Sequence, residues 1–200
     1  MAGIPTFSAS WFRHSRDGGL SLLYGRPEVN SLAQKLLVRP LSRGYGVTIL
    51  DGGNLFDPYL ISRMAQTLGR TPREFLSKIL VSRSFTCHQT HALVHKVASL
   101  NGDKSRIVLV LGCLTTFYDE EISLGERTAL LKKTLMLLKE ISQRGSRIFV
   151  TSTDPPVDVR GRFTDLLIHA ADRAARLELD PDGTLRIAIV KLDGTALLKR

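Results

Sequence analysis

The residues best placed to do chemistry lie at the end of the first apolar run. Leu20-Ser21-Leu22-Leu23-Tyr24 reads as a strand and opens onto Gly25-Arg26-Pro27-Glu28-Val29-Asn30-Ser31-Leu32, followed by an amphipathic helical pattern. A phosphate-binding loop of the form G-x-x-x-x-G-K-[ST] fits this frame without a gap. Such a loop works because backbone N–H groups cradle phosphates, the lysine reaches the β- and γ-phosphates and the hydroxyl binds Mg²⁺. Gly25 matches the first glycine, but Asn30, Ser31 and Leu32 stand at the glycine, lysine and hydroxyl positions. Ser31 brings no charge and Leu32 no oxygen, so the frame is present without its chemistry.

Three other clusters carry reactive or ligating side chains. Cys87-His88-x-x-His91-x-x-x-His95 puts positions 88, 91 and 95 on one helix face, and zinc takes His and Cys ligands in tetrahedral fours. A half-buried histidine stripe accounts for the same spacing, and no metal is expected. Asp119-Glu120-Glu121 offers carboxylates of the kind used as general acid and base. No histidine or metal set lies near them in sequence, and a solvated turn explains them. Trp11 and Phe12, beside Arg13 and Arg16, suit stacking on bases or anchoring of the N-terminal segment.

The elements that must position these residues follow from length and pattern. Two hundred residues suit one core domain, read as residues 19–200 behind an N-terminal segment, 1–18. The apolar runs are far shorter than a bilayer span, and no basic–apolar–small-residue leader is evident, so no membrane role is expected. Two cysteines, Cys87 and Cys113, make no disulfide framework and suit a reducing compartment. A cytoplasmic location is expected, or a nuclear one if the source is eukaryotic. The net charge of +9 is uneven: residues 1–45 hold 6 basic and 2 acidic groups, and residues 46–110 hold 8 and 4. A basic excess of this kind favours contact with a polyanion, usually nucleic acid.

Apolar, β-rich runs alternate with helical patterns, which predicts an α/β fold with a mostly parallel sheet. Strands are expected near 20–24, 46–51, 79–83, 106–112 and 146–151. Asp57-Pro58 reads as an N-cap with proline at the first helical position, stopped by Gly69. Thr71-x-x-Glu74 and Ser123-x-x-Glu126 read as capping boxes, the second heading a long helix that ends at Gly145. At the C-terminal end, Ala174–Leu179 and Leu185–Lys191 flank Asp180-Pro181-Asp182-Gly183, a tight turn that predicts an antiparallel hairpin.

Four segments in this order resemble the core ATPase domain of the RecA/RadA recombinase family. Ile49–Pro58 (ILDGGNLFDP) is similar to the family's I-D-T-E-G-T-F-R-P stretch, and Ile79–Thr86 with His88-Gln89 to its I-L-V-A-R-A-Y-T…H-Q segment. Val108–Tyr118 resembles the strand L-L-I-V-D-S-A-T-A-L-Y, and Arg162–Lys191 the closing hairpin region. The resemblance spans roughly residues 19–191 and implies a RecA-like P-loop NTPase fold, a twisted parallel sheet ending in the hairpin.

What the resemblance implies for function turns on departures from the family pattern. The magnesium-binding aspartate of the family falls on Gly112, the catalytic glutamate on Gly53 and the γ-phosphate-sensing glutamine on Thr153. With Ser31 and Leu32, every group that positions metal, phosphate or water is replaced, and phosphoryl transfer consists mainly of such positioning. The expectation is therefore a catalytically inactive paralogue with no cofactor and no nucleotide held by Gly25, Asn30, Ser31 and Leu32. The first DNA-contact loop of the family falls on Asp119–Glu121, whose charge repels phosphate. The second falls after Thr153, where Arg160 and Arg162 are expected to contact DNA, together with Arg13 and Arg16. Implied partners are DNA, bound without sequence specificity, and a RecA-family recombinase or another paralogue, in a homo- or hetero-oligomer. An accessory role in homologous recombination and DNA repair follows. A nucleotide-binding regulatory ATPase or switch of the same fold is the alternative.

Overall fold

A computed structural model describes residues 18–99, 107–119, 121–154, 161–192 and 195–196. One sheet organises all of them. Its strands are β1 (Gly19–Gly25), β2 (Val47–Asp51), β3 (Ile79–Arg83), β4 (Ile107–Leu111), β5 (Arg147–Thr153), β6 (Arg173–Leu179), β7 (Leu185–Leu192) and β8 (Thr195–Ala196). They lie in the order β3-β2-β4-β5-β1-β6-β7-β8. The first six in that order are parallel to their neighbours, and β7 and β8 add antiparallel. The α/β class, the mostly parallel sheet and the closing hairpin all match the expectation. The short β8 was not anticipated.

The central strands explain themselves. β4 reads IVLVL and every residue is buried, as a parallel strand covered on both faces requires. Helices α1 (Glu28–Leu36), α2 (Val38–Ser42), α3 (Pro58–Thr67) and α4 (Pro72–Leu76) are joined by α5 (Cys87–Ser99), α6 (Leu124–Gln143) and α7 (Gly161–Ala170). The side chains of α1 to α4 pack with Ile49, Leu109 and Leu111 in one core cluster. Those of α5, α6 and α7 pack with Leu22, Val108 and Val150 in another. Alternate residues of one strand thus feed two cores.

The caps read from sequence are in place. Asp57 Oδ1 accepts from Tyr59 N at 2.8 Å and Leu60 N at 3.1 Å. Thr71 and Ser123 accept from the amides of Glu74 and Glu126. The hairpin turn closes with Asp180 N donating to Thr184 O at 2.9 Å, and Gly183 takes φ +83°. At the other end of the sheet, Asp172 clamps β1. Its Oδ2 accepts from Leu20 N at 2.9 Å, its own amide donates to Leu20 O, and its carboxylate pairs with Lys139 of α6. Among the described residues, no helix is long and apolar enough to cross a membrane.

Candidate functional site

The junction of β1 and α1 sits at the C-terminal edge of the parallel sheet, where open α/β sheets place ligands. Gly25 ends the strand with φ +113°. A Cβ there would come within 2.5 Å of Leu177 O, so glycine is demanded by the close approach of β6. Only Arg26 and Pro27 separate the strand from α1, because the helix already begins at Glu28. Arg26 N donates to Leu177 O at 3.2 Å, Val29 N to Arg26 O at 3.0 Å and Asn30 N to Pro27 O at 3.2 Å. Pro27 has no amide hydrogen. Donors that a phosphate cradle needs free are engaged in backbone bonds.

The side chains of the first turns of α1 close the space further. Asn30 is 7 % exposed, and its Oδ1 accepts from the Thr151 hydroxyl at 2.6 Å. Thr151 Oγ1 in turn accepts from Gly112 N at 2.9 Å. Asn30 on α1, Thr151 on β5 and Gly112 after β4 therefore form one continuous chain of hydrogen bonds. Ser31 donates to Glu28 O of its own helix at 3.0 Å, and Leu32 is buried in the core.

Gly53 and Gly112 both lie against the Leu55 side chain. A Cβ built on either glycine would come 2.7 Å from Leu55 Cδ1, and Gly112 has φ +59°. Leu55 therefore occupies the volume into which side chains at 53 and 112 would project. It is held there from two sides. Asp51, fully buried, accepts from Leu55 N at 2.8 Å, Phe56 N at 3.1 Å and, more weakly, Gly53 N at 3.4 Å. Gln34 of α1, also buried, donates to Leu55 O at 3.0 Å and accepts from Asp57 N at 2.8 Å. Arg83 lies 3.7 Å from Asp51 Oδ2. The Asp51 oxygens are thus committed to holding the 53–56 loop.

A buried hydroxyl relay lies behind this loop. Ser84 meets Thr90 at 2.9 Å, and Thr90 meets Thr116 at 2.8 Å. Thr153 ends β5 opposite Gly25 and is half-buried. Beside it, Arg176 of β6 pairs with Asp154 at 2.9 Å and lies over the Tyr24 ring, 5.8 Å from its centroid. Burial pushes the Tyr24 hydroxyl above its usual range.

The remaining sequence candidates fall elsewhere. Arg13, Arg16, Arg160 and the Trp11-Phe12 pair lie outside the described residues. Arg162, exposed near the start of α7, joins Lys132 and Thr128 around a shallow cavity of about 360 Å³. Asp119 and Glu121 form a turn in which Glu121 N donates to Asp119 Oδ1 at 3.0 Å. The histidines of α5 diverge. His88 Nε2 lies 3.1 Å from Glu126, and His91 Nδ1 lies 3.1 Å from Thr134 Oγ1. Among the described residues, no group of three or more ligating side chains is arranged to hold an ion. Burial raises the Cys87 thiol and pushes Cys113 up to about 12, which keeps both protonated at neutral pH.

Sequence reasoning singled out Ser31, Leu32, Gly53 and Gly112 but missed Leu55, Thr151 and Gln34, which pack and bond around them. Only one signal pointed to them: two glycines at positions where the family resemblance implies carboxylates leave a void that something must fill.

Two comparisons place the chain among known proteins. The family model for Rad51 matches residues 40–162. Among solved structures, the crystal structure of the RadB recombinase superposes with a TM-score of 0.70 at 20% sequence identity, covering 88% of this chain and 82% of that one.

Proposed function

Because the chain belongs to the Rad51 family, we propose that it is a catalytically inactive recombinase paralogue. On this reading it is an accessory protein that acts by stoichiometric binding to DNA, to a recombinase of the family or to another paralogue, in recombination and repair. One observation carries the reading. The amides of Arg26, Val29 and Asn30 are engaged in backbone bonds, at a junction lacking the lysine, hydroxyl and carboxylates that would charge it. A nucleotide there would have to break α1's first turn and displace Leu55 to gain a weakened cradle. The net charge of +9 supports the DNA half of the reading.

The test is direct. Purified protein is assayed for ATP hydrolysis with and without DNA, and for Mg·ATP binding by calorimetry. No turnover is expected, and no binding tighter than about 1 mM, the affinity of about −4 kcal/mol that a few polar contacts supply. Turnover above background, or micromolar binding lost on Asn30→Ala, overturns the inactive reading. The same preparation is titrated with single- and double-stranded DNA at several salt concentrations. A footprint of about five phosphates gives a log–log slope near −4 to −5 on duplex. Absence of binding at low salt removes DNA from the proposal and leaves the protein partner.

A further inference from the structure

Away from the junction, α5 and α6 lie side by side and leave a groove of about 560 Å³ between them, lined by His91, His95, Lys133, Met136, Lys139 and Glu140. Met136 is 72 % exposed, an unusual position for a side chain that packs well in apolar contacts. The charge around it is one-sided. Helix α5 carries three histidines and Lys96 and no acid, and α6 adds Lys133 and Lys139, the latter paired with Asp172, against Glu126 and Glu140. Each of those two acids is already matched, Glu126 with His88 and Glu140 with Arg144. Lys133 has no ion pair among the described residues.

We propose that this groove docks an acidic amphipathic segment of a protein partner, seating apolar side chains against Met136 and Leu137 and carboxylates against Lys133, His95 and His91. Adjacent helices with a protruding methionine receive a third helix by its i, i+3, i+4, i+7 face. The unpaired Lys133 selects for an acidic one, since like charge across an interface suppresses wrong partners. Nucleic acid would match the charge but leave Met136 unused. His91 is built to respond. The Thr134 hydroxyl donates to Leu130 O, so at 3.1 Å it accepts from His91 Nδ1–H and leaves Nε2 for an incoming group. His88 and His95 on α5, and Lys133, Lys139 and Glu140 on α6, are the charged or titratable groups around it. Burial first, and then His95, Lys133 and His88, hold the imidazole below its ordinary range. A carboxylate entering the groove reverses that balance, so docking takes up a proton.

This deepens the partner-binding half of the proposed function and rests on it. The probe is a fluorescent amphipathic peptide of about 18 residues, leucines on one face and glutamates on its flanks. A scrambled peptide of identical composition and a single-stranded oligonucleotide serve as controls. Binding near 10 μM is expected, about 7 kcal/mol, tightening two- to fivefold between pH 8 and pH 6. Met136→Glu and, separately, Lys133→Glu should each weaken it at least tenfold. Both residues are surface positions, and circular dichroism checks that each variant folds. Equal binding of the scrambled peptide overturns the inference, as does an unaffected Met136→Glu. So does an oligonucleotide that displaces the peptide and responds to Lys133→Glu alone, which makes the face a phosphate surface. Wild-type protein that binds a recombinase yet ignores the peptide refutes the groove and spares the proposed function. Peptide binding alongside ATP turnover does the reverse.

Discussion

The Thr151 hydroxyl donates to Asn30 Oδ1 at 2.6 Å across 121 residues of chain, and the same oxygen accepts from Gly112 N. One side chain thereby ties the first helix, the β5 strand and the turn after β4 into a single buried unit. The family resemblance sets Asn30 at a glycine of the phosphate loop and Gly112 at a metal ligand, and on the proposed function their connection gives both residues a structural purpose.

Thr151→Val keeps the shape and removes the hydroxyl. It leaves Gly112 N and Asn30 Oδ1 buried without a partner, and should lower stability by about 1–3 kcal/mol in urea unfolding. Asn30→Ala combined with Thr151→Val should cost less than the sum of the two single changes. Additive effects would show that the pair is not coupled.

Gly112→Asp restores the family's residue type and should fail to restore its chemistry. The new Cβ meets Leu55 Cδ1 at 2.7 Å and the Thr115 hydroxyl at 2.9 Å, at a positive φ. Strain and overpacking together should cost about 2–4 kcal/mol. Leu55→Ala in the same chain should recover about 1 kcal/mol of that loss by opening the space. Thermal melts of the single and double variants decide it, and an unstrained single variant would contradict the assignment of Leu55 as the filler.

Asp51→Ala tests the staple. Three backbone amides between Gly53 and Phe56 lose a charged acceptor, at about 2–3 kcal/mol. Amide exchange of Leu55 and Phe56 should accelerate far more than that of β4 residues. Uniform acceleration would mean that the loop is held by packing alone.

Asp172 supplies a pH signature. Burial alone would raise its pKa, but the Leu20 amide and the Lys139 ammonium outweigh burial and hold it below the ordinary 3.8. A carboxyl whose pKa is depressed on folding stabilises the protein above its unfolded value, and that contribution fades as pH falls through the folded value. Asp172→Asn should therefore melt a few degrees lower at pH 7, and the gap should narrow as pH falls below 3.8. A gap that does not change with pH would assign the effect to packing and not to the charge of the carboxylate.

Much of the fold was legible because its signals are local. The cap residues Asp57, Thr71 and Ser123, the turn at Asp180–Gly183 and the all-apolar β4 each specify an element within a few residues of themselves. Strand ends blurred where no breaker stands, so β5 runs to Thr153 and not 151. The site was half legible. Missing chemistry can be read position by position, since Ser31 cannot act as a lysine. The filling cannot, because Leu55, Gln34 and Thr151 come from three separate segments and acquire meaning only when the sheet brings them together. Charge behaved likewise. The sequence blocks place the basic excess in residues 1–110, whereas folding lays the acid-free α5 against Lys133 of α6.

The two-residue passage from Gly25 into α1 has a temporal consequence. A loop that opens and closes on a triphosphate gives a protein a timer, with one state before cleavage and another after. Here the backbone is bonded to itself through the turn and the closing side chains are tethered at both ends. On the proposed function, residence on a partner is then set by concentration and dissociation rate alone. Such a component would be released by dilution, competition or a change of proton activity, and its influence on an assembly would scale with the number of copies present.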